Sequence, residues 1–180
     1  MIYKLGELVP KIGKNNLIID NATIIGDVET GENVSIWFSA VLRADMSKIK
    51  VGNNSNIQDN TTVHGDTPYP VIIGENVTIG HNCIIHGCEI EDNVIIGMGS
   101  ILLNGARIPK NCIVGAGSLV TDKLEAQEGD LIIGSPAKVV KKLSDKNIDY
   151  LKYANKVYLE KIEMYKKLVV HDCNDIGNRV

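Results

Sequence analysis

Residues 84–120, broken every six positions, read IIHGCE IEDNVI IGMGSI LLNGAR IPKNCI VGAGSL V. Ile84, Ile90, Ile96, Leu102, Ile108, Val114 and Val120 open each block. Four places on stand small or apolar residues: Cys88, Val94, Ser100, Ala106, Cys112 and Ser118. Glycine often follows the opening residue, as at Gly97 and Gly115. Short strands with a turn every six residues stack into a parallel coil, because no single turn can bury its own apolar face.

The same period runs toward the N-terminus with slips. Ile18, Ile24, Thr30, Ile36 and Leu42 form one run; Val51, Ile57 and Val63 a second; Ile73 and Ile79 a third. The breaks fall near Met46–Lys50, Gly65–Ile72 and Asn82–Ile84. The tract 65–70 (Gly-Asp-Thr-Pro-Tyr-Pro) has turn chemistry and reads as a loop leaving the coil. With three hexapeptides to a coil, the sides can be assigned. One column holds Ile18, Ile36, Ile57, Ile79, Ile96 and Val114. The next holds Ile24, Leu42, Val63, Ile84, Leu102 and Val120. The third holds Thr30, Val51, Ile73, Ile90 and Ile108.

The chain is expected to leave the coil near Gly134–Ser135–Pro136 and to form a helix capped by Ser144 or Asp145. Ile148, Leu151, Asn155, Tyr158, Ile162, Tyr165 and Val169 follow a three–four spacing with one polar member. Such a helix suits the side of the coil or a neighbouring subunit. Two units result: residues 1–142, a coil domain with an N-terminal extension, and residues 143–180, a helix and a tail that frays after His171.

Composition agrees. One Trp, one Phe, six Tyr and 17 Gly suit short strands with tight turns. The net charge of −3 argues against nucleic acid as a partner. From Ala137 onward ten Lys/Arg face six Asp/Glu, which leaves the preceding body at about −7. The basic end reads as a solvated helix docking with electrostatic help. Met1–Pro10 is too polar for a signal peptide, and no run approaches a membrane span, so no membrane partner is expected. Cys83, Cys88, Cys112 and Cys173 make no CxxC pair and read as reduced thiols of a cytoplasmic protein.

The chemistry lies in the histidines. Arg43, His64 and His86 fall on the second column in successive coils, whereas Gln58, Asp59 and His81 fall on the first. His64 and His86 can converge on one ion. His81 reaches it only from another copy, and a symmetric trimer supplies it three times over. His171 joins no such pattern. Three neutral imidazoles leave the fourth position of a tetrahedral metal open for a water that loses its proton near neutral pH. Zn2+ fits, and Fe2+ or Co2+ accept the same ligands. Arg43 would orient a carboxylate such as Asp45 or Asp59. Gln58 could hold the bound water or the substrate. Asp27, Asn53, Asn54 and Asp92 read as turn residues satisfying backbone groups. Cys83, Cys88 and Cys112 stand at small-residue positions and read as core. Trp37 and Met98 read as packing or interface residues.

Several segments together resemble the γ-class carbonic anhydrases and their hexapeptide-repeat relatives. They are residues 36–45 (IWFSAVLRAD), 56–59 (NIQD), Val63–His64, 80–88 (GHNCIIHGC), 96–100 (IGMGS) and 134–137 (GSPA). The resemblance covers roughly residues 10–142. It implies a left-handed parallel β-helix with a C-terminal α-helix, assembled as a homotrimer. It implies metal ligands His64 and His86 from one subunit and His81 from its neighbour. It sets Arg43, Asp45, Asn56, Gln58 and Asp59 at the family's site positions. The implied reaction is reversible hydration of CO2 to bicarbonate by a metal-bound hydroxide. Active family members carry an acidic residue directly after the position of Asp45, and a long acidic loop after the first histidine. Here Met46 and the short loop 65–70 stand instead, and Asp66 is the nearest acid by sequence. Two alternatives use the same coil: an acyltransferase drawing on acetyl- or acyl-CoA, with one histidine as general base, and a weakly catalytic trimer that keeps metal for stability.

Overall fold

The computed structural model describes residues 1–169. Most of them form a parallel coil of very short strands, many only two residues long. In the first column Ile18, Ile36, Ile57, Ile79, Ile96, Val114 and Ile132 stand in parallel register. In the third, Thr30, Val51, Ile73, Ile90 and Ile108 do the same. Most of these side chains, with apolar residues four places on, form one continuous buried core, and Ile18 packs against it. Truncating one of its isoleucines to alanine should cost about 2–5 kcal/mol.

The second column differs from the sequence reading at one position. Leu42, Val63, Ile85 and Leu102 share its register, and Ile85 is buried. Ile84 instead faces outward and is 44% exposed. Six steps from Ile79 lead to Ile85. The slip therefore comes after it, at Gly87, rather than within Asn82–Ile84. Gly87 has φ +55°, and a Cβ there would lie 2.1 Å from Asn104 Oδ1, so only glycine shortens the turn at this point. His86 follows inward Ile85 just as His64 follows inward Val63, and the two histidines are direct register partners.

Strands Thr23–Thr30 and Val41–Val51 run unbroken around one corner and join the second and third columns into a ten-stranded sheet. The break expected near Met46–Lys50 is a bulge in the longer strand, between Ala44 and Ile49. Another corner is built from asparagines. Asn15, Asn33, Asn54, Asn76, Asn93 and Asn111 all have positive φ, between 55° and 60°, a region asparagine tolerates better than most residues. Successive Nδ2 groups donate to the next Oδ1, Asn33 to Asn54 at 3.0 Å and Asn76 to Asn93 at 3.1 Å.

The chain does not leave the sheet at Gly134–Ser135–Pro136. It reverses there, and Ala137–Lys142 pairs antiparallel with Asp130–Gly134. This hairpin closes the edge of the first column's sheet. Asp130, buried in the hairpin, takes the Lys142 ammonium at 2.8 Å and the Gln127 amide at 2.7 Å.

The helix spans Asp145–Tyr165 with Ser144 as N-cap. It lies on its own coil, against the first column. Trp37 meets the rings of Tyr158 and Tyr165 edge-on, at 5.4 and 4.8 Å between centroids. Leu17, Ile19 and Ile162 complete this cluster. The polar member of the stripe, Asn155, is buried and donates to the Asn54 carbonyl at 2.7 Å, so the helix docks on the asparagine corner. Val169 is not part of the stripe: it lies beyond the helix end and is 80% exposed. His171, Cys173 and the tail lie outside the described residues. Among those described, no helix is long and apolar enough to cross a membrane.

Candidate metal centre

Adjacent coils bring Arg43, His64 and His86 into direct register on the second column. His64 is 9% exposed. Its Nε2 lies 3.0 Å from Asp45 Oδ1, and Arg43 Nη1 bonds the other oxygen of the same carboxylate. Burial works to raise the Asp45 pKa, but the hydrogen bonds from Arg43 and His64 outweigh it and hold the carboxyl below its usual range. On the next coil, His86 Nδ1 lies 2.6 Å from Asn104 Oδ1.

These partners decide where the imidazole protons sit. A neutral imidazole has one N–H and one lone pair. Asp45 and the Asn104 carbonyl oxygen are acceptors, so each claims an N–H: Nε2 of His64 and Nδ1 of His86. The remaining nitrogens, His64 Nδ1 and His86 Nε2, face each other at 3.0 Å, lone pair to lone pair. With both rings neutral and so oriented the contact is repulsive, and a metal ion or a proton taken up between them relieves it. The donor set therefore fits a metal, and the outer acceptors are the partners that ligating histidines use to fix tautomer and ring orientation.

His81 stands apart, on the first column. Its Nδ1 lies 2.8 Å from Asp59 Oδ2, which leaves Nε2 with a lone pair by the same reasoning. Gln58 Nε2 donates to Asn56 Oδ1 at 3.1 Å, and Asn56 Nδ2 to Thr78 Oγ1 at 2.9 Å. Gln58 and His81 border a groove of about 390 Å³ between the first column and the helix, with Met98 and Tyr153 on its rim. The residues singled out in the sequence thus form two clusters within one chain. Arg43, Asp45, His64 and His86 make one; Asn56, Gln58, Asp59 and His81 make the other. Of the two carboxylates considered for Arg43, the structure gives it Asp45, while Asp59 serves His81.

Two contributors are not read from the sequence as partners of these histidines, although Asp66 is noted there as the nearest acid. Asn104 lies one coil beyond His86, and only the register reveals it. Asp66 comes back from the loop 65–70, and among the described residues His64, Asp66 and His86 are the group drawn close enough to hold one ion. The cysteines among the described residues are not candidates. Cys83, Cys88 and Cys112 are buried, and burial pushes the Cys88 thiol up to about 12, far from a ligating thiolate.

A three-sided coil of six-residue turns is the architecture of hexapeptide-repeat proteins. The family model described as the hexapeptide repeat of succinyl-transferase matches residues 70–104 and 90–122. The chain belongs to the γ-class carbonic anhydrase-like branch of that superfamily. It is 41% identical to a carbonic anhydrase of Geobacillus kaustophilus, covering 93% of this chain and 92% of that one. It is 40% identical to the mitochondrial gamma carbonic anhydrase 2 of Arabidopsis thaliana over 87% of its length, and spans 58% of the length of that relative. A solved Bacillus cereus structure, provisionally described as an acetyltransferase, superposes with a TM-score of 0.91 at 41% identity, covering 93% of this chain and 98% of that one.

Proposed function

We propose that this protein catalyses reversible hydration of CO2 at a metal shared between subunits of a homotrimer. His64 and His86 come from one subunit and His81 from the next. The observation that carries the reading is that His64 Nδ1 and His86 Nε2 face each other at 3.0 Å while the other nitrogen of each ring meets Asp45 or Asn104. His81, prepared by Asp59 in the same manner, is the third donor. When bound, a metal such as Zn2+, Fe2+ or Co2+ supplies a Lewis acid that makes hydroxide available near neutral pH.

The remaining tasks belong to the chain. Asp45 and Asn104 keep the ligating nitrogens of His64 and His86 unprotonated. Arg43 anchors Asp45. Gln58, whose Nε2 is committed to Asn56, has its Oε1 left to accept a hydrogen bond from water and so orient it toward CO2. Hydration releases one proton per bicarbonate, and that proton must reach solvent. Met46, 60% exposed, cannot carry it, so buffer does.

The acyltransferase reading stands second, favoured by the description of the Bacillus cereus neighbour. Metal-loaded protein assayed for CO2 hydration and for acetyl-CoA turnover separates the two. Hydration in a buffered solution is expected. Its absence at full metal occupancy, with acetyl-CoA consumed, would reverse the order. Light scattering should give a trimer, and a monomeric mass with metal bound would remove the shared site.

A further inference from the structure

The two histidines of the second column have a third neighbour that the trimeric site does not use. Asp66 directs Oδ1 to His64 Nδ1 at 4.0 Å and Oδ2 to His86 Nε2 at 3.9 Å. Those are the same two nitrogens whose lone pairs face each other. One carboxylate thus addresses both facing imidazole nitrogens from within the same chain.

Its position is held by the loop. Asp66 and Tyr69 form an antiparallel bridge. Thr67 Oγ1 donates to the Met46 carbonyl at 2.8 Å. Tyr69 lies over two glycines of the following coils: a Cβ at Gly87 would come within 2.8 Å of Tyr69 Cβ, and one at Gly105 within 3.6 Å of Tyr69 Cε1. The loop is therefore tied at Met46, at its own bridge and on the coil surface. Asp66 itself is half-exposed, so its side chain can rotate. Coordination bonds of about 2 Å to nitrogen and oxygen need only a small closing movement from the observed spacings.

We infer that His64, Asp66 and His86 form a divalent-metal site complete within one chain, which holds the ion without His81. Two imidazoles and one carboxylate are an established ligand set for Zn2+ and Fe2+. In this arrangement a protomer takes up its metal before assembly, and the partner's histidine later adds to a site already filled. The inference rests on the reading of His64 and His86 as ligands, and it adds a different third donor.

The test is metal binding, not activity. Metal-free wild type, His81→Ala, Asp66→Asn and the double variant are titrated with Zn2+ against a chromophoric chelator. Co2+ absorption spectra report the ligand set in parallel, and circular dichroism checks the fold. His81→Ala should bind one Zn2+ per chain, more weakly than wild type. Adding Asp66→Asn to it should weaken binding a further tenfold or more, because two imidazoles remain. Asp66→Asn alone should change wild-type affinity only a fewfold, since His81 compensates. Stoichiometric metal in wild type with none in His81→Ala would overturn the in-chain site and leave the shared site standing. Equal affinity in His81→Ala and the double variant would also overturn it. No metal in wild type would overturn both readings.

Discussion

Removing the Asn104 side chain tests the logic of the metal centre at one hydrogen bond. Asn104 Oδ1 lies 2.6 Å from His86 Nδ1 and, as an acceptor, favours the proton on that nitrogen. In Asn104→Ala that proton can move to Nε2, which faces the His64 Nδ1 lone pair at 3.0 Å. The metal-free site then gains an internal N–H···N hydrogen bond worth about 1 kcal/mol, and the metal must break it. The bound state loses the support of the His86–Asn104 hydrogen bond, about another 1 kcal/mol. Together the two make about 2 kcal/mol, or roughly thirtyfold in affinity. That lies inside the ten- to hundredfold range typical of outer-shell partners. The assay is Zn2+ competition with a chelator, supported by 15N NMR of the imidazoles at alkaline pH. The spectra should show His86 as the Nδ1–H tautomer in wild type and as Nε2–H in Asn104→Ala. Asn104→Asp keeps an acceptor and should retain both the tautomer and the affinity. Unchanged affinity and tautomer in Asn104→Ala would refute the reasoning, since Asn104 would then not be what places the His86 proton.

Three further outcomes are expected. Asn155→Leu should destabilise the protein by about 1–3 kcal/mol in urea unfolding, because the part-buried Asn54 carbonyl loses its side-chain donor; an unchanged midpoint would mean that the carbonyl finds another partner. Asp130 is pushed up by burial but pulled further down by Lys142 and the Gln127 amide, so its folded pKa lies below the unfolded one. Its stabilisation is full above the ordinary carboxylate range and is lost as pH falls through the lowered value. Urea midpoints measured downward from about pH 5 should therefore fall less steeply in Asp130→Asn than in wild type. Met46→Glu should raise CO2 hydration at low buffer and converge with wild type at high imidazole-type buffer; equal rates at both extremes would mean that proton export is not limiting.

Much of the architecture was legible because the hexapeptide period is a local signal. An inward residue must recur every six positions, and each miss forces a visible slip. The first and third columns follow directly. The error at Ile84 arose because two isoleucines stand side by side, and hydrophobicity cannot say which one turns inward. Only Gly87, with its left-handed backbone against Asn104, locates the slip. The exit at Gly134–Ser135–Pro136 misled for a similar reason. Turn chemistry announces a reversal, but not whether the chain afterwards leaves the sheet or pairs back along it. The helical stripe was read one residue group too far, to Val169, because spacing alone does not mark where a helix stops.

The sequence by itself determined the coil, the placing of His64 and His86 on one side, and the separation of His81 onto another, because column membership follows from counting residues. Tertiary structure alone decided which polar atoms meet. Asn104 reaches His86 across eighteen residues, Asp45 reaches His64 across nineteen, and Asp66 is carried to both histidines by a loop that turns back on the coil. These contacts depend on register, rotamer and loop path, which arise only when successive coils are stacked. Periodicity specifies which side of the coil a residue occupies, whereas the proton on each imidazole nitrogen is set by the atom found opposite it in space.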